Sequence, residues 1–296
     1  MPTFGRGSGA VRAQLPDGRW HFQHGPIDLV IEAQGCPEAL EAALEAAWQR
    51  FRSVLGELVA ELALLRQPVR AERRPAGPVA QRMHAACLPF LPRFVTPMAA
   101  VAGSVADEIV ACFRRDGVQR ACVNNGGDIA LHLAPAAKPW RIGVAAVPDA
   151  ARAARRGCPD AGFSVGADQP WRGVATSGWR GRSFSLGIAD SVTVLARDGA
   201  SADAAATMVA NALDVAHPAI VRAPASSLKD DTDLGERSVT VSVPPLPPSA
   251  IAAALDAGEH EARRCRDSGL LGAAVLSLQG HWRVLEPRAA LHREAA

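Results

Sequence analysis

Two residues with oxygen atoms that could bind a metal lie four positions apart in an alanine-rich segment of the chain. The segment ADAAATMVANALD, residues 202–214, carries Asp203 and Thr207. Residues i and i+4 share one face of a helix, so the carboxylate and the hydroxyl project together. Both are hard ligands suited to Mg²⁺ or Ca²⁺, whereas zinc prefers histidine and cysteine, which the segment lacks. A structural alternative stays open: Asp203 can stabilise the first turn of its helix, and Thr207 can bond back to a carbonyl oxygen.

A second candidate is the stretch VNNGGDIAL, which holds Asn124, Asn125, Gly126, Gly127 and Asp128. Asn-Gly between two alternating apolar runs is a preferred hairpin turn, because both residues tolerate positive φ. The glycines also leave the backbone bare, so its N–H groups can approach a phosphate or an aromatic ring closely. The pattern predicts a strand–turn–strand unit and leaves both roles open.

A third candidate is VATSGW, in which Thr176 and Ser177 precede Gly178 at the end of a short predicted strand. Hydroxyls beside a glycine are typical of ligand contacts and equally typical of turns. No histidine lies in this stretch, so a Ser-His-Asp arrangement has no local support.

Composition limits the classes of partner. The 296 residues include 32 basic and 30 acidic ones, a net charge of +2, which gives no electrostatic case for nucleic acid. We find no signal peptide and no membrane-spanning run, and the 6 cysteines are scattered without a CxxC pair. We therefore expect a cytoplasmic protein with reduced thiols and no membrane contact.

The elements that must position these residues read as hairpins with long helices inserted between them. Apolar residues at three- and four-residue steps predict a helix over 37–65, and further helices are expected at 81–88, 98–116, 202–214 and 249–265. Strands are expected at 27–33, around the NNGGD turn, near 140–147, in 173–196, and in the segments RSVTVSV and AAVLSLQGHWRVL. Without a regular βαβ alternation, the chain predicts an α+β fold with hairpin-rich antiparallel sheets.

No linker or short repeat divides the chain. We expect one domain over residues 15–287, flanked by flexible termini at 1–14 and 288–296, and a Pro/Asp-rich surface connection over 217–236.

The order of the motifs GGD, ATSG, SVTV and ADxxAT resembles that of the ApbE-like family, the thiamine-biosynthesis lipoproteins or FAD:protein FMN transferases. The segment PMAAVAG is most similar to a cytoplasmic branch of that superfamily without a lipobox. The resemblance covers residues 98–214 well and the ends loosely. It implies an ApbE-like fold, Mg²⁺, and FAD or FMN, with transfer of FMN to a threonine or serine hydroxyl of an acceptor protein.

Carried over by motif, the resemblance implies metal-binding roles for Asp203 and Thr207 and for a backbone carbonyl near Val101. It implies flavin-nucleotide contacts from the NNGGD residues 124–128 and from the TSG residues 176–178.

Three departures from the family pattern bear on catalysis. Gly187 in SLGIAD stands where the family has a histidine implicated in catalysis, and the P-x-T-G stretch that follows it there is absent. Ala102 stands where the family has the lysine of an A-K-G motif. Tyrosine is absent from the chain, which leaves Trp179 as the nearest aromatic residue for stacking.

Three functions therefore remain open. The leading one is an ApbE-like protein that binds Mg²⁺ and a flavin nucleotide, an FMN-transferase type of enzyme with a divergent catalytic site. The alternatives are a non-catalytic protein that binds or delivers flavin, and a biosynthetic enzyme acting on another heterocycle such as a pterin.

Overall fold

The chain is built on a nine-stranded antiparallel sheet. The computed structural model describes residues 9–144 and 161–287. The sheet has the order β1-β2-β3-β4-β5-β8-β9-β12-β13, and two further hairpins pair β6 with β7 and β10 with β11. The strands are β1 (Val11–Gln14), β2 (Trp20–His24), β3 (Ile27–Gly35), β4 (Val118–Asn125), β5 (Asp128–Leu133), β6 (Trp140–Val144), β7 (Ala161–Val165), β8 (Gly173–Ser177), β9 (Ser191–Ala196), β10 (Val221–Pro224), β11 (Ser238–Ser242), β12 (Ala273–Leu278) and β13 (His281–Leu285). The predicted α+β class is confirmed.

Helices cover one face of this sheet. They are α1 (Pro37–Ala60), α2 (Leu62–Leu65), α3 (Pro78–Cys87), α4 (Val101–Val110), α5 (Gly199–Ala212), α6 (Ala225–Leu228) and α7 (Pro248–Asp267). Helix α4 packs on β4 and β5, α5 packs on β8 and β9, and the two helices pack against each other. None of the helices among the described residues has the length and apolar character needed to cross a membrane.

The two halves of the sheet join through a short ladder. Strands β3 and β4 pair at seven positions, whereas β5 and β8 pair at two, Ile129 with Val174 and Ala130 with Gly173. The strands on one side of this ladder come from the N-terminal half of the chain, and those on the other side come from the C-terminal half. The β5–β8 ladder is thus the narrow seam of the sheet.

The opposite face of the seam carries a second, smaller apolar cluster under the β6–β7 hairpin. Its buried members come from the hairpin and from both halves of the sheet: Leu131, Leu133, Trp140, Val165, Val174, Leu195 and Ala273. This cluster and the helix layer enclose the seam from both sides.

The structure differs from the predicted elements in a few places. The helix expected over 37–65 is interrupted at Glu61, and the expected helix 98–116 is α4 with a 3-10 turn on either side. Residues 11–14, expected within a flexible terminus, form β1 because they pair with β2. The segment expected as a Pro/Asp-rich surface connection contains β10 and α6. The end of the strand expected near 140–147 lies outside the described residues.

Candidate functional site

Helix α5 presents a narrow polar strip on an otherwise buried surface. It begins at Gly199, earlier than predicted, because the Asp198 side chain accepts the Ser201 N–H at 2.7 Å and caps the helix. Its alanines at 200, 202, 204, 205, 206 and 210 are buried, whereas Asp203, Thr207 and Asn211 are half-buried. These three residues follow one another at four-residue spacing, so they form one strip along the helix. The shared face predicted for the first two is confirmed by this pattern.

The Asp203 carboxylate stabilises a helix other than its own. Its Oδ2 accepts the Gly103 N–H at 3.0 Å, and the Ala102 N–H also bonds to the carboxylate. Both amides lie in the first turn of α4, where N–H groups have no partner within the helix. The alternative that Asp203 stabilises the first turn of its own helix is therefore wrong. Asp198 caps α5, and Asp203 caps α4 instead.

Asp107 makes the reciprocal contact. Its two carboxylate oxygens accept the Gly199 and Ala200 N–H groups at 2.9 and 2.8 Å, at the start of α5. Burial raises the Asp107 pKa to about 6, and the Asp198 charge adds to the effect. The two helices approach so closely that a methyl group at Gly103 would overlap the Gly199 carbonyl.

Asp128 is the second carboxylate at this centre. It is the last residue of NNGGD and opens β5, and its Oδ1 accepts the Thr176 N–H at 3.2 Å. Desolvation raises its pKa to about 7, against the lowering effects of that amide and of Arg182. Desolvation also raises the pKa of Asp203, and the charge of Asp128 raises it further. Asp128 and Asp203 are therefore neighbouring carboxyl groups that disfavour each other's ionised form.

The asparagines of the turn have separate positioning roles. Asn124 Oδ1 accepts the Gly127 N–H at 2.8 Å, which closes the turn locally. The buried Asn125 donates its side-chain amide to the Ala102 carbonyl at 3.1 Å and so ties the turn to the start of α4. Gly126 and Gly127 adopt φ values of +65° and +116°, so the predicted hairpin turn is confirmed.

The TSG segment reaches this centre through its backbone. The Thr176 N–H bonds to Asp128, whereas its hydroxyl bonds to the Thr193 hydroxyl at 2.9 Å across β8 and β9. Ser177 is half-buried at the end of β8, and a methyl group at Gly178 would overlap the Asp190 carbonyl. The structure thus brings Thr176 to the carboxylate pair and turns its hydroxyl toward another strand.

Gly187 occupies a site with no room for a side chain. A methyl group there would overlap the Ala210 carbonyl and lie 2.8 Å from the Leu213 carbonyl, at the C-terminal end of α5. The preceding residue is held to the same end of the helix, since its N–H donates to Asn211 Oδ1 at 2.9 Å. The position that resembles the family histidine therefore packs two turns along α5 from Asp203.

Val101 and Trp179 are the remaining sequence candidates. Val101, proposed for its carbonyl oxygen, is the first residue of α4 and is half-buried. The Trp179 ring stacks under the Arg180 guanidinium at 4.6 Å. The sequence motifs did not indicate Asp107, Asn211 or Arg182 as residues of this region. Asp107 and Asn211 bind partners 93 and 25 positions away, and Arg182 lies against a glycine in another loop.

Carboxylate, histidine and cysteine side chains do not form a metal cluster on their own. In residues 9–144 and 161–287, no group of three or more such side chains is placed to hold an ion. A cation at Asp128 and Asp203 would need other oxygen ligands. Mg²⁺ commonly binds this way, through one or two carboxylates together with water and substrate phosphates.

Comparison with known proteins agrees with the motif order. A family model described as "AbpE bacteria" matches residues 12–284. A UPF0280 protein of Methanospirillum hungatei is 39% identical over 126 residues, which cover 41% of this chain and 47% of that protein. A UPF0280 protein of Methanopyrus kandleri is 33% identical over 220 residues, 72% of this chain and 83% of that protein. The chain spans about half the length of the first curated relatives that it matches.

Two solved structures resemble the overall shape. The apo flavinyl transferase ApbE of Pseudomonas stutzeri has 14% identity and a TM-score of 0.41, with 97% of each chain covered. The ApbE protein of Thermotoga maritima has the same identity and TM-score, with 94% of this chain and 96% of that chain covered. At these values the two structures assign no function. The family match spans nearly the whole chain, and on that ground the protein belongs to the ApbE-like family.

Proposed function

We propose that the protein binds Mg²⁺ together with a flavin nucleotide, FAD or FMN, at the centre formed by Asp128 and Asp203. The observation that carries this proposal is the placement of two carboxyl groups from different elements beside each other, where the charge of Asp128 raises the pKa of the desolvated Asp203. A divalent cation between them removes that repulsion and stabilises both ionised forms. Its binding energy would offset the desolvation of the two groups.

The residues around the pair fit a magnesium ion. Two carboxylates come from Asp128 and Asp203, and Thr207 contributes a hydroxyl one turn further along α5. A carbonyl near Val101, at the start of α4, is a further candidate ligand. Asp203 retains capacity for a metal while capping α4, since a carboxylate has about four acceptor positions. When bound, the ion would neutralise charge on a diphosphate and orient it.

The glycine turn supports a nucleotide next to this centre. Gly127 is exposed, and nothing lies within 4 Å of the place that a side chain there would take, whereas the neighbouring Gly126 lies against Arg182. A ligand can therefore approach this backbone closely, as the interpretation of NNGGD required. Membership of the ApbE-like family favours a flavin over other nucleotides.

A second candidate function is binding or delivery of flavin without covalent transfer. The backbone packing of Gly187 favours it, because no basic side chain can stand at the position that resembles the family histidine. Under this proposal the acceptor protein would be a recipient of free nucleotide. A pterin in place of the flavin has no specific contact in its favour.

The test is a titration of FAD and of FMN into the purified protein, followed by flavin fluorescence, with Mg²⁺ or with EDTA. We expect binding in the micromolar range that weakens at least tenfold when the metal is removed. The variant Asp203→Asn should bind equally weakly in both buffers. Flavin fluorescence that does not change at saturating wild-type protein would refute the proposal. Covalent labelling of an acceptor peptide, measured on the same samples, separates the transferase from the delivery protein.

A further inference from the structure

Arg182 lies on the exposed loop between β8 and β9, with its guanidinium against the glycine turn. A methyl group at Gly126 would overlap Arg182 Nη2, so the arginine covers the backbone of this residue. The contact joins two loops that are 56 positions apart in the chain. Gly126 is thus a glycine for two reasons, its positive φ and the close approach of the guanidinium.

The hydrogen-bond donors of Arg182 have no acceptor in the described part of the chain. Across the ranges that the structure describes, its side chain makes no hydrogen bond, ion pair or ring contact. Its neighbour Arg180 differs, because it donates to Asp190 at 2.8 Å and stacks on Trp179. Arg180 therefore anchors the loop, whereas Arg182 has no such partner among residues 9–144 and 161–287.

Arg182 lies beside the carboxylate pair. Its guanidinium rests against Gly126, two positions before Asp128, yet it forms no ion pair with the Asp128 carboxylate. A guanidinium is planar and always charged, and its donors match two oxygens of a phosphate at once. An anion bound here would touch Arg182 on one side and face the Asp128–Asp203 centre on the other.

We propose that Arg182 binds a phosphate group of the ligand beside the Asp128–Asp203 centre and so selects phosphate esters over their unphosphorylated counterparts. The inference rests on the proposed function for the nature of the metal centre. It adds a residue that the motifs did not indicate, and it names the chemical group that this residue recognises. A flavin nucleotide and a free diphosphate share that group, so the experiment includes both.

The test is calorimetric titration in Mg²⁺ buffer with three probes: inorganic pyrophosphate, FMN and riboflavin. For Arg182→Gln we expect affinities for pyrophosphate and FMN to fall by at least about tenfold, with riboflavin binding unchanged. Arg182→Lys should recover part of the loss, because the charge remains but the two-pronged hydrogen bonding does not. The matched control is Arg263→Gln, which removes an equal charge from an exposed ion pair with Glu259 on α7.

Equal affinities of wild type and Arg182→Gln for pyrophosphate would overturn the inference, as would an equal loss in the Arg263→Gln control. A wild-type protein that does not bind pyrophosphate in Mg²⁺ would overturn it too. The two proposals fail separately. Arg182-dependent binding of pyrophosphate without any flavin binding refutes the flavin proposal and supports this one. FMN binding with the same affinity in wild type and Arg182→Gln supports the flavin proposal and refutes this one.

Discussion

Asp107 and Asp203 cap each other's helices. Asp107 on α4 accepts the first two amides of α5, and Asp203 on α5 accepts amides in the first turn of α4. Each helix thus supplies the anion that the N-terminus of its partner favours. The arrangement gives Asp203 two duties, helix capping and the proposed metal binding, and different substitutions can separate them.

The first prediction concerns Asp203. Asp203→Ala removes the acceptor for buried amides of α4, so we expect a loss of about 1–3 kcal/mol in the free energy of unfolding. Asp203→Asn keeps an acceptor oxygen and removes the charge that desolvation and Asp128 oppose, so its metal-free stability should stay near that of wild type. Thermal unfolding with and without Mg²⁺ measures both effects.

In the same experiment, the stability of wild type should increase with Mg²⁺ by RT ln(1 + [L]/Kd), where [L] is the free Mg²⁺ concentration. Neither Asp203 variant should show this increase. Thr207→Val, which removes a neutral ligand and keeps the shape, should weaken the response less. An Asp203→Asn variant with the full Mg²⁺ shift would place the metal elsewhere.

The second prediction concerns pH. The Asp128 pKa is about 7 in the folded protein against an ordinary 3.8, so between these values the folded state holds more protons than the unfolded state. The free energy of unfolding therefore declines as pH rises from about 4 to about 7. We expect the decline that is due to Asp128 to be on the order of 1 kcal/mol or more. Asp107 and Asp203 act in the same direction, since their pKa values are raised too.

Urea unfolding at pH 5 and pH 8 in EDTA, on wild type and Asp128→Asn, measures this slope. The comparison cancels other titrations, such as that of His132, whose lowered pKa acts in the opposite sense. We expect a smaller decline in Asp128→Asn and, in wild type, a smaller decline with Mg²⁺. The same slope in both proteins would show that Asp128 is ionised throughout.

The third prediction concerns Gly187. The variant Gly187→His places the family histidine at this position, and we expect no transferase activity from it. It should lower the free energy of unfolding by about 3 kcal/mol or more, because the side chain meets carbonyls at the end of α5. Gly187→Ala should show part of that loss. Gly56→Ala is the control, since a methyl group on that exposed part of α1 meets nothing within 4 Å. A stable Gly187→His protein with wild-type thermal unfolding would contradict the packing.

The fourth prediction concerns the contact of α4 with α5. Gly103→Ala should force the helices apart, because a methyl group there overlaps the Gly199 carbonyl. Both reciprocal caps should weaken together, so we expect a loss above about 2 kcal/mol and reduced Mg²⁺ binding. Hydrogen exchange at the Gly199 and Ala200 amides is the direct measurement, and unchanged protection of these amides would count against the coupling.

Local chemistry made part of this structure predictable. The hairpin of β4 and β5 follows from glycines that adopt positive φ, and the shared face of Asp203 and Thr207 follows from helical spacing. The start of α5 was predicted too late, because Asp198 caps it from a strand-like position next to β9. The site partners of Asp203 could not be predicted, since the first turn of α4 is 100 positions away and no local pattern links the two.

The narrow seam between β5 and β8 gives ligand binding a mechanical consequence. Asp128 belongs to the N-terminal side of the seam, whereas Asp203 and Thr207 belong to the C-terminal side. With two paired positions in the ladder, the halves are joined at the sheet by few backbone hydrogen bonds. A ligand held by both sides acts as a cross-link, so it should suppress sub-global opening along the seam and make the two halves unfold as one cooperative unit.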